Sequence, residues 1–187
     1  FPEFISLKEV TENEILPYTT GFPSYSDFVY SNLWSWNIDG SYKLSDLNGN
    51  LVVKMRDTKT KEFFLSIHGI NKIDESLKIL YEEIENFDVE TSLHLVPEET
   101  AEIARAGNFE VEEDRDTFDY IYSTHELSEL KGRAFKSKRH LINQFKFLYQ
   151  DFSIEHSELT PITKLLILKF MSAENKKRSL FGYTPFV

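Results

Sequence analysis

Apolar positions change their spacing several times along the chain, and each change marks an element. Between residues 12 and 36 they recur at helical intervals, through Ile15 and Leu16 and then Phe28, Val29, Leu33, Trp34 and Trp36. The helical pattern breaks near Pro17 and again at Gly21-Phe22-Pro23. Ser26 or Asp27 can cap the second piece, since a short polar side chain there accepts from the first free helical amides. At 41–47 and 51–56 the pattern becomes that of strands, joined by Asn48-Gly49-Asn50, a strong hairpin signal. A polar turn at 57–61 follows. The run 63–68 is almost continuously apolar and predicts a third strand, so the three form an antiparallel meander.

Asp74 then reads as an N-cap for a helix whose apolar face is Leu77, Ile79, Leu80, Tyr81, Ile84 and Phe87, with Glu on the other side. Residues 92–96 predict a short buried strand. A short helix follows at 97–106: Pro97 starts it, Glu98, Glu99 and Glu102 favour its positive end, and Gly107 stops it. Two further strands are expected at 109–114 and 117–123, parted by Arg115-Asp116. Beyond them, 131–149 reads as mostly helical, 152–156 as strand-like, and 162–177 as a helix capped by Thr160-Pro161.

This order is helices, three meander strands, helix, strand, helix, two strands. It is an α/β (α+β) arrangement that fits the GNAT acyltransferase fold, a mixed sheet flanked by helices, over residues 1–124. Residues 125–187 read as the start of a second such unit with no room to finish its sheet, so the expectation is an incomplete second half with exposed strand edges and apolar faces, prone to self-association.

Composition narrows the functional classes. No cysteine is present, which removes disulfides, thiolate nucleophiles and thiolate metal ligands. The five histidines do not pair at metal-ligand spacing, so no metal is expected. No apolar run approaches the ~20 residues of a membrane span. No secretory leader pattern is visible, and the expected location is the cytoplasm. Charge is the most informative quantity. The net charge is −10, yet 131–150 holds Lys131, Arg133, Lys136, Lys138, Arg139 and Lys146 with no Asp or Glu, which leaves −16 on the rest.

That segment is unusual as a helix. Leu141, Ile142, Phe145, Leu148 and Tyr149 share one face, and Lys136, Arg139, Asn143 and Lys146 share the opposite one. Lys136, Lys138 and Arg139 crowd the N-terminal turn, where the helix dipole disfavours cations. A bound phosphate or carboxylate would offset that, held by free amides and cationic side chains together. The competing reading is that these cations pair with the chain's many acids, and a contact with another subunit is a third.

A resemblance sharpens the picture. The stretches Asp119-Tyr120-Ile121-Tyr122, Glu126-Leu127-Ser128-Glu129-Leu130-Lys131-Gly132-Arg133 and Lys138-Arg139-His140-Leu141-Ile142-Asn143-Gln144-Phe145 resemble the central motif of the phosphatidylglycerol lysyltransferase C-terminal family. Ser26-Asp27-Phe28, Asn32-Leu33 and Trp36 resemble that family's upstream signature. His140 stands where the motif usually carries Asn. The resemblance implies a bacterial protein with two GNAT-like halves in tandem, similar to the Fem peptidyltransferases. It also implies transfer of an aminoacyl group from tRNA to a lipid headgroup or other acceptor. Lys131, Arg133, Lys136, Lys138, Arg139, His140, Asn143 and Lys146 are then the candidates for holding the phosphates of an aminoacyl-tRNA or another phosphate-bearing donor. No catalytic residue is assigned.

Two other functions compete: a non-catalytic binding module that kept the fold, and an acetyl-CoA-dependent N-acetyltransferase. Against the latter, the turn after the third strand, His68-Gly69-Ile70-Asn71-Lys72-Ile73-Asp74, has one Gly and lacks the rest of a pyrophosphate loop, so no cofactor is expected. His68 reads as a structural histidine at a strand end, Asp114, Asp116 and Asp119 as a solvated strand edge, and Trp34 and Trp36 as core or interface.

Overall fold

A computed structural model describes residues 3–57, 59–85 and 93–180 of the chain. It divides into two compact units, Phe1–Asp119 and Tyr120–Val187.

The first unit is built on a four-stranded antiparallel sheet, β1 (Ile5–Ser6), β2 (Lys43–Leu47), β3 (Asn50–Arg56) and β4 (Phe63–His68), in that spatial order. Asn48 and Gly49 turn β2 into β3 with φ of 57° and 79°, the doubly left-handed turn that matches strand twist. Leu51 of β3 lies opposite His68 of β4, and Val52 opposite Ile67. Alternation then sends Leu51, Val53 and Met55 to one face, where they pack with Leu7, Ile15, Phe28 and Leu33. Val52, Leu65 and Ile67 go to the other face and pack with Ile73, Leu77, Leu80 and Ala104. β3 is therefore covered on both sides, which explains why Leu51, Val52 and Val53 are apolar in succession.

Helices α1 (Glu12–Thr19) and α2 (Tyr30–Trp36) precede the meander, with a 3-10 turn at Ser26–Phe28. A capping box starts α1: Glu14 accepts from the Thr11 backbone N–H at 2.8 Å. Pro17 lies inside α1 and does not end it; the helix runs two residues further, to Thr19. After the sheet come α3 (Ile73–Glu85) and α4 (Glu98–Ala106). α3 begins one residue before Asp74, which sits in the first turn and not at the cap. Phe87 and Ser92 lie outside the described residues; of the buried strand expected at 92–96 only an isolated parallel bridge between Leu93 and Leu65 forms, and Leu95, at φ 56°, breaks the extended run.

The expected strands at 109–114 and 117–123 do not form. Phe109 and Val111 do pack on the second core cluster. The Asp114 side chain then accepts from the Asp116 N–H at 3.2 Å and turns the chain into a 3-10 turn at Arg115–Thr117.

The second unit contains α5 (Thr124–Glu129), α6 (Lys136–Leu148) and α7 (Pro161–Leu180). Ser123 caps α5 by accepting from the Glu126 N–H at 3.3 Å, and Leu130, at φ 51°, closes it. The strand-like stretch 152–156 has no partner strand among the described residues, and Ile154 is exposed. The fold is thus a mixed α+β one, with a four-stranded antiparallel sheet and seven α-helices among the described residues.

Candidate functional site

The basic segment resolves into two kinds of cation. Arg139 Nη1 donates to the carbonyls of Leu130 and, at 2.7 Å, Gly132. It thereby satisfies carbonyls left free where α5 ends in a left-handed residue. Lys131 Nζ pairs with Glu129 at 2.8 Å. Those two are occupied by the loop itself. Arg133, Lys136, Lys138 and Lys146 are exposed, and none of them makes an ion pair among the described residues. His140 and Asn143 are exposed on the same helix.

The start of α6 is open. Phe135 occupies the cap position and supplies no side-chain acceptor. The Lys136 amide donates to Arg133 O at 3.1 Å, and the Arg139 amide to Phe135 O at 3.0 Å. Between them, the amides of Ser137 and Lys138 fall in the first turn, where no intrahelical acceptor exists. Two free N–H groups, two lysines and the positive end of a thirteen-residue helix converge there, an arrangement suited to an anion. The apolar face of α6 is exposed as well, with Leu141 and Leu148 each 62% accessible.

The turn after β4 is closed to such a ligand. Asn50 is fully buried and its side chain fills the turn: Nδ2 donates to Leu47 O at 2.9 Å and Asn71 O at 2.7 Å, and Oδ1 accepts from the Asn71 N–H at 2.9 Å. The Gly69 N–H donates to Thr100 Oγ1 at 3.4 Å, and that hydroxyl donates back to Gly69 O at 2.6 Å. Gly69 has φ 144°, and a Cβ there would overlap Asn50 Oδ1. The amides of Gly69 and Asn71, which a phosphate would need, are already engaged.

His68 is buried as expected of a structural histidine, but it is not fully satisfied. It is 1% exposed, packed between Phe22 and Phe28 with ring centroids 4.7 Å away on each side, and its Nδ1 has no hydrogen-bond partner. Burial pushes its pKa below the ordinary imidazole value, opposed by a hydrogen bond to the Tyr18 backbone. It lines a cavity of about 300 Å³ between α1, the 20–30 segment and the end of β4. Beside it the Tyr25 hydroxyl donates to Glu99 at 2.5 Å; burial and that carboxylate push its pKa up to about 12. A smaller cavity of about 160 Å³ holds Asp27, Trp36, Tyr42 and Arg56. Partial burial raises the Asp27 pKa from its ordinary value, and so does nearby Asp119, which itself accepts from the Ser26 N–H at 2.9 Å. Among the described residues no three His, Asp or Glu side chains converge as metal ligands.

Trp36 is exposed, and Trp34 is half exposed at 51%. Asp114 and Asp116 belong to the 3-10 turn and not to a strand edge. Sequence reasoning passed over Asn50, Thr100 and Glu99. For Asn50 a signal exists, a polar residue directly before the apolar run Leu51-Val52-Val53; for the other two, the exposed-looking first turn of α4 hides a role that only the packed structure reveals.

A family model described as "Phosphatidylglycerol lysyltransferase, C-terminal" matches residues 21–168. No curated protein matches the chain. A crystal structure of a conserved protein of unknown function from Bacteroides thetaiotaomicron is similar, with a TM-score of 0.72 and 25% identity. The similarity covers 96% of this chain and 60% of that one. No helix among the described residues is long and apolar enough to cross a membrane.

Proposed function

The chain belongs to the phosphatidylglycerol lysyltransferase C-terminal family, and from that membership we propose that it takes part in transferring an aminoacyl group from an aminoacyl-tRNA to a lipid or other acceptor. The observation that carries this reading is the open start of α6. Lys136, Lys138 and the Ser137 and Lys138 amides would take one donor phosphate, with Arg133, His140, Asn143 and Lys146 along the backbone beyond it. Lys131 and Arg139 would hold the supporting loop. The engaged amides of Gly69 and Asn71 favour an aminoacyl ester over acetyl-CoA as donor.

In such a transfer the acceptor's amine or hydroxyl attacks the ester carbonyl. The new C–N or C–O bond forms as the bond to the ribose oxygen breaks, and the acceptor's proton ends on the ribose hydroxyl. No covalent enzyme intermediate is needed. The donor would place this work in the cytoplasm. The test is to incubate the protein with radiolabelled aminoacyl-tRNA and phosphatidylglycerol vesicles. Label moving into the lipid supports transfer. Salt-sensitive tRNA binding with no loss of the ester, with or without lipid, would make the protein a binding module; no binding at all would overturn the reading.

A further inference from the structure

The smaller cavity lies between the 3-10 turn at Ser26–Phe28, α2, the end of β3 and the start of β4. Asp27, Asn32, Leu33 and Trp36, which the transfer reading leaves without a role, all line it. Asp27 is partly buried, yet its carboxylate makes no ion pair and no hydrogen bond among the described residues. The Asp119 carboxylate lies close enough to repel it. A carboxylate partly withdrawn from water, with no donor and a like charge beside it, is unfavourable until a cation joins it.

Tyr42 is an independent sign of a ligand. It is only 6% exposed and lines the same cavity. Its hydroxyl makes no hydrogen bond among the described residues and is not sealed from water. Burial, and then the nearby carboxylates of Asp39, Asp27 and Asp57, raise its pKa, so the hydroxyl sits on the carboxylate side of the ring. Asn32 donates to Ser26 O at 2.9 Å, and its side-chain oxygen accepts from nothing among the described residues.

The wall holds donors as well, the Trp36 indole N–H and Arg56. The indole is neutral. Arg56 is engaged, with Nε donating to Lys61 O at 2.8 Å and Nη1 to Asp39 at 3.0 Å. Between ligands of opposite charge, net charge decides. Asp27, Asp39, Asp57 and Asp119 outnumber Arg56 and Lys59, which lie beside Asp39 and Asp57. The faces of Trp36 and Phe64 favour a cation further. No three carboxylates or histidines among the described residues converge as metal ligands, so the fitting cation is organic.

We propose that this cavity binds a primary alkylammonium. Its three N–H groups meet Asp27, the Tyr42 hydroxyl oxygen and the Asn32 side-chain oxygen, and its chain lies against Leu33, Met55 and Trp36. A volume of about 160 Å³ takes a short chain, roughly five non-hydrogen atoms at ~30 Å³ each. The site is formed wholly within the first unit and is independent of the transfer reading and of the basic helix.

The experiment is an NMR titration of the whole chain at neutral pH with n-butylammonium chloride, 1-butanol and sodium butyrate, and with sodium chloride as the control. The Trp36 indole resonance reports the cavity, and that of Trp34, which does not line it, serves as an internal reference. The expected result is a saturable shift of Trp36 with butylammonium, a weaker one with butanol, and none with butyrate or sodium chloride. Asp27→Asn keeps the shape and removes the charge; it should weaken butylammonium roughly five- to tenfold and leave butanol unchanged. Tyr42→Phe removes a hydroxyl that bonds to nothing in the protein, so the fold stands, and it should weaken butylammonium roughly two- to tenfold. Should Asp27→Asn fail to fold, Tyr42→Phe carries the test. No saturable Trp36 shift with butylammonium, an equal response to butyrate or sodium chloride, or an unchanged butylammonium affinity in the folded variants would each overturn the proposal.

Discussion

Replacing Lys136 and Lys138 together by Ala separates a phosphate site from incidental surface charge. Both side chains are exposed, and neither makes an ion pair or a hydrogen bond to a side chain among the described residues. Folding therefore loses nothing that holds the loop. It gains relief of an unfavourable dipole term, about 0.3 kcal/mol per lysine at this level of exposure. A total of ~0.6 kcal/mol corresponds to a melting temperature higher by about 1–2 °C for a chain of this size. Ligand binding should move the other way. If each lysine neutralises one phosphate, the slope of log K against log salt falls by about 1.4–1.8 for the pair. The control is Arg139→Ala. It removes two charge-assisted bonds to Leu130 and Gly132 carbonyls, a loss of roughly 1–2 kcal/mol after allowing for partial exposure, so its melt should fall by several degrees. The assays are a thermal melt at low salt and tRNA binding across a salt series. A lysine double variant that melts lower, with an unchanged salt slope, would refute the reasoning.

Gly69→Ala should destabilise the first unit by roughly 2 kcal/mol or more, because the new methyl group must displace the Asn50 side chain and its bonds to the turn; a urea melt checks it, and a change near zero would mean the turn is slack. His68 carries its pKa below the unfolded value, so the unfolded chain binds the extra proton; its contribution to stability is fully present above about pH 6.5 and is lost as pH falls through the folded pKa. Melts between pH 7.5 and 5 should show this decline, and His68→Gln, if it folds, should flatten it; an equally steep decline in that variant would assign the effect elsewhere. On α6 and α7 the exposure of Leu141, Phe145, Leu148, Ile162, Leu165 and Phe170 predicts self-association. Sedimentation velocity should show a dimer or larger species that Leu141→Glu with Leu148→Glu disperses, and a monomer at high concentration in the unaltered chain would contradict this.

What was legible in the sequence was what is local. The meander could be read because Asn48-Gly49 fixes a turn type and β3 joins it to a run buried on both faces. α3 and α6 could be read because one face of each repeats at helical spacing, and α4 and α7 because Pro97 and Gly107 bound the one and Thr160-Pro161 starts the other. The strands at 109–114 and 117–123 failed for a definite reason. Phe109, Val111, Phe118, Tyr120 and Tyr122 alternate as strand residues do, but alternation describes one chain and a strand needs two. Tyr120 and Ile121, which point to opposite sides in an extended chain, are 87% and 92% exposed.

The same limit governs the sites. Composition marked the basic segment and showed nothing to distinguish Arg139 from Lys138, adjacent in a segment that carries cations and no acid. The difference is made by Leu130, whose left-handed conformation leaves carbonyls that a planar, many-donor guanidinium can reach and that an ammonium serves less well. His68 was half legible. Strand alternation places it with Phe64 and Ser66 on one face, opposite Leu51 in register, so its burial follows from the sequence once β4 is accepted. Its role does not, since the rings that enclose it come from residues 22–28 and the acid beside it, Glu99, from the first turn of α4. Charge is counted along a chain, but the direction in which a hydroxyl donates is settled across it. That is why the charge at α6 was visible beforehand as an excess of lysine and arginine, whereas the hydroxyls that Tyr25 and Thr100 commit to Glu99 and Gly69 had no compositional trace.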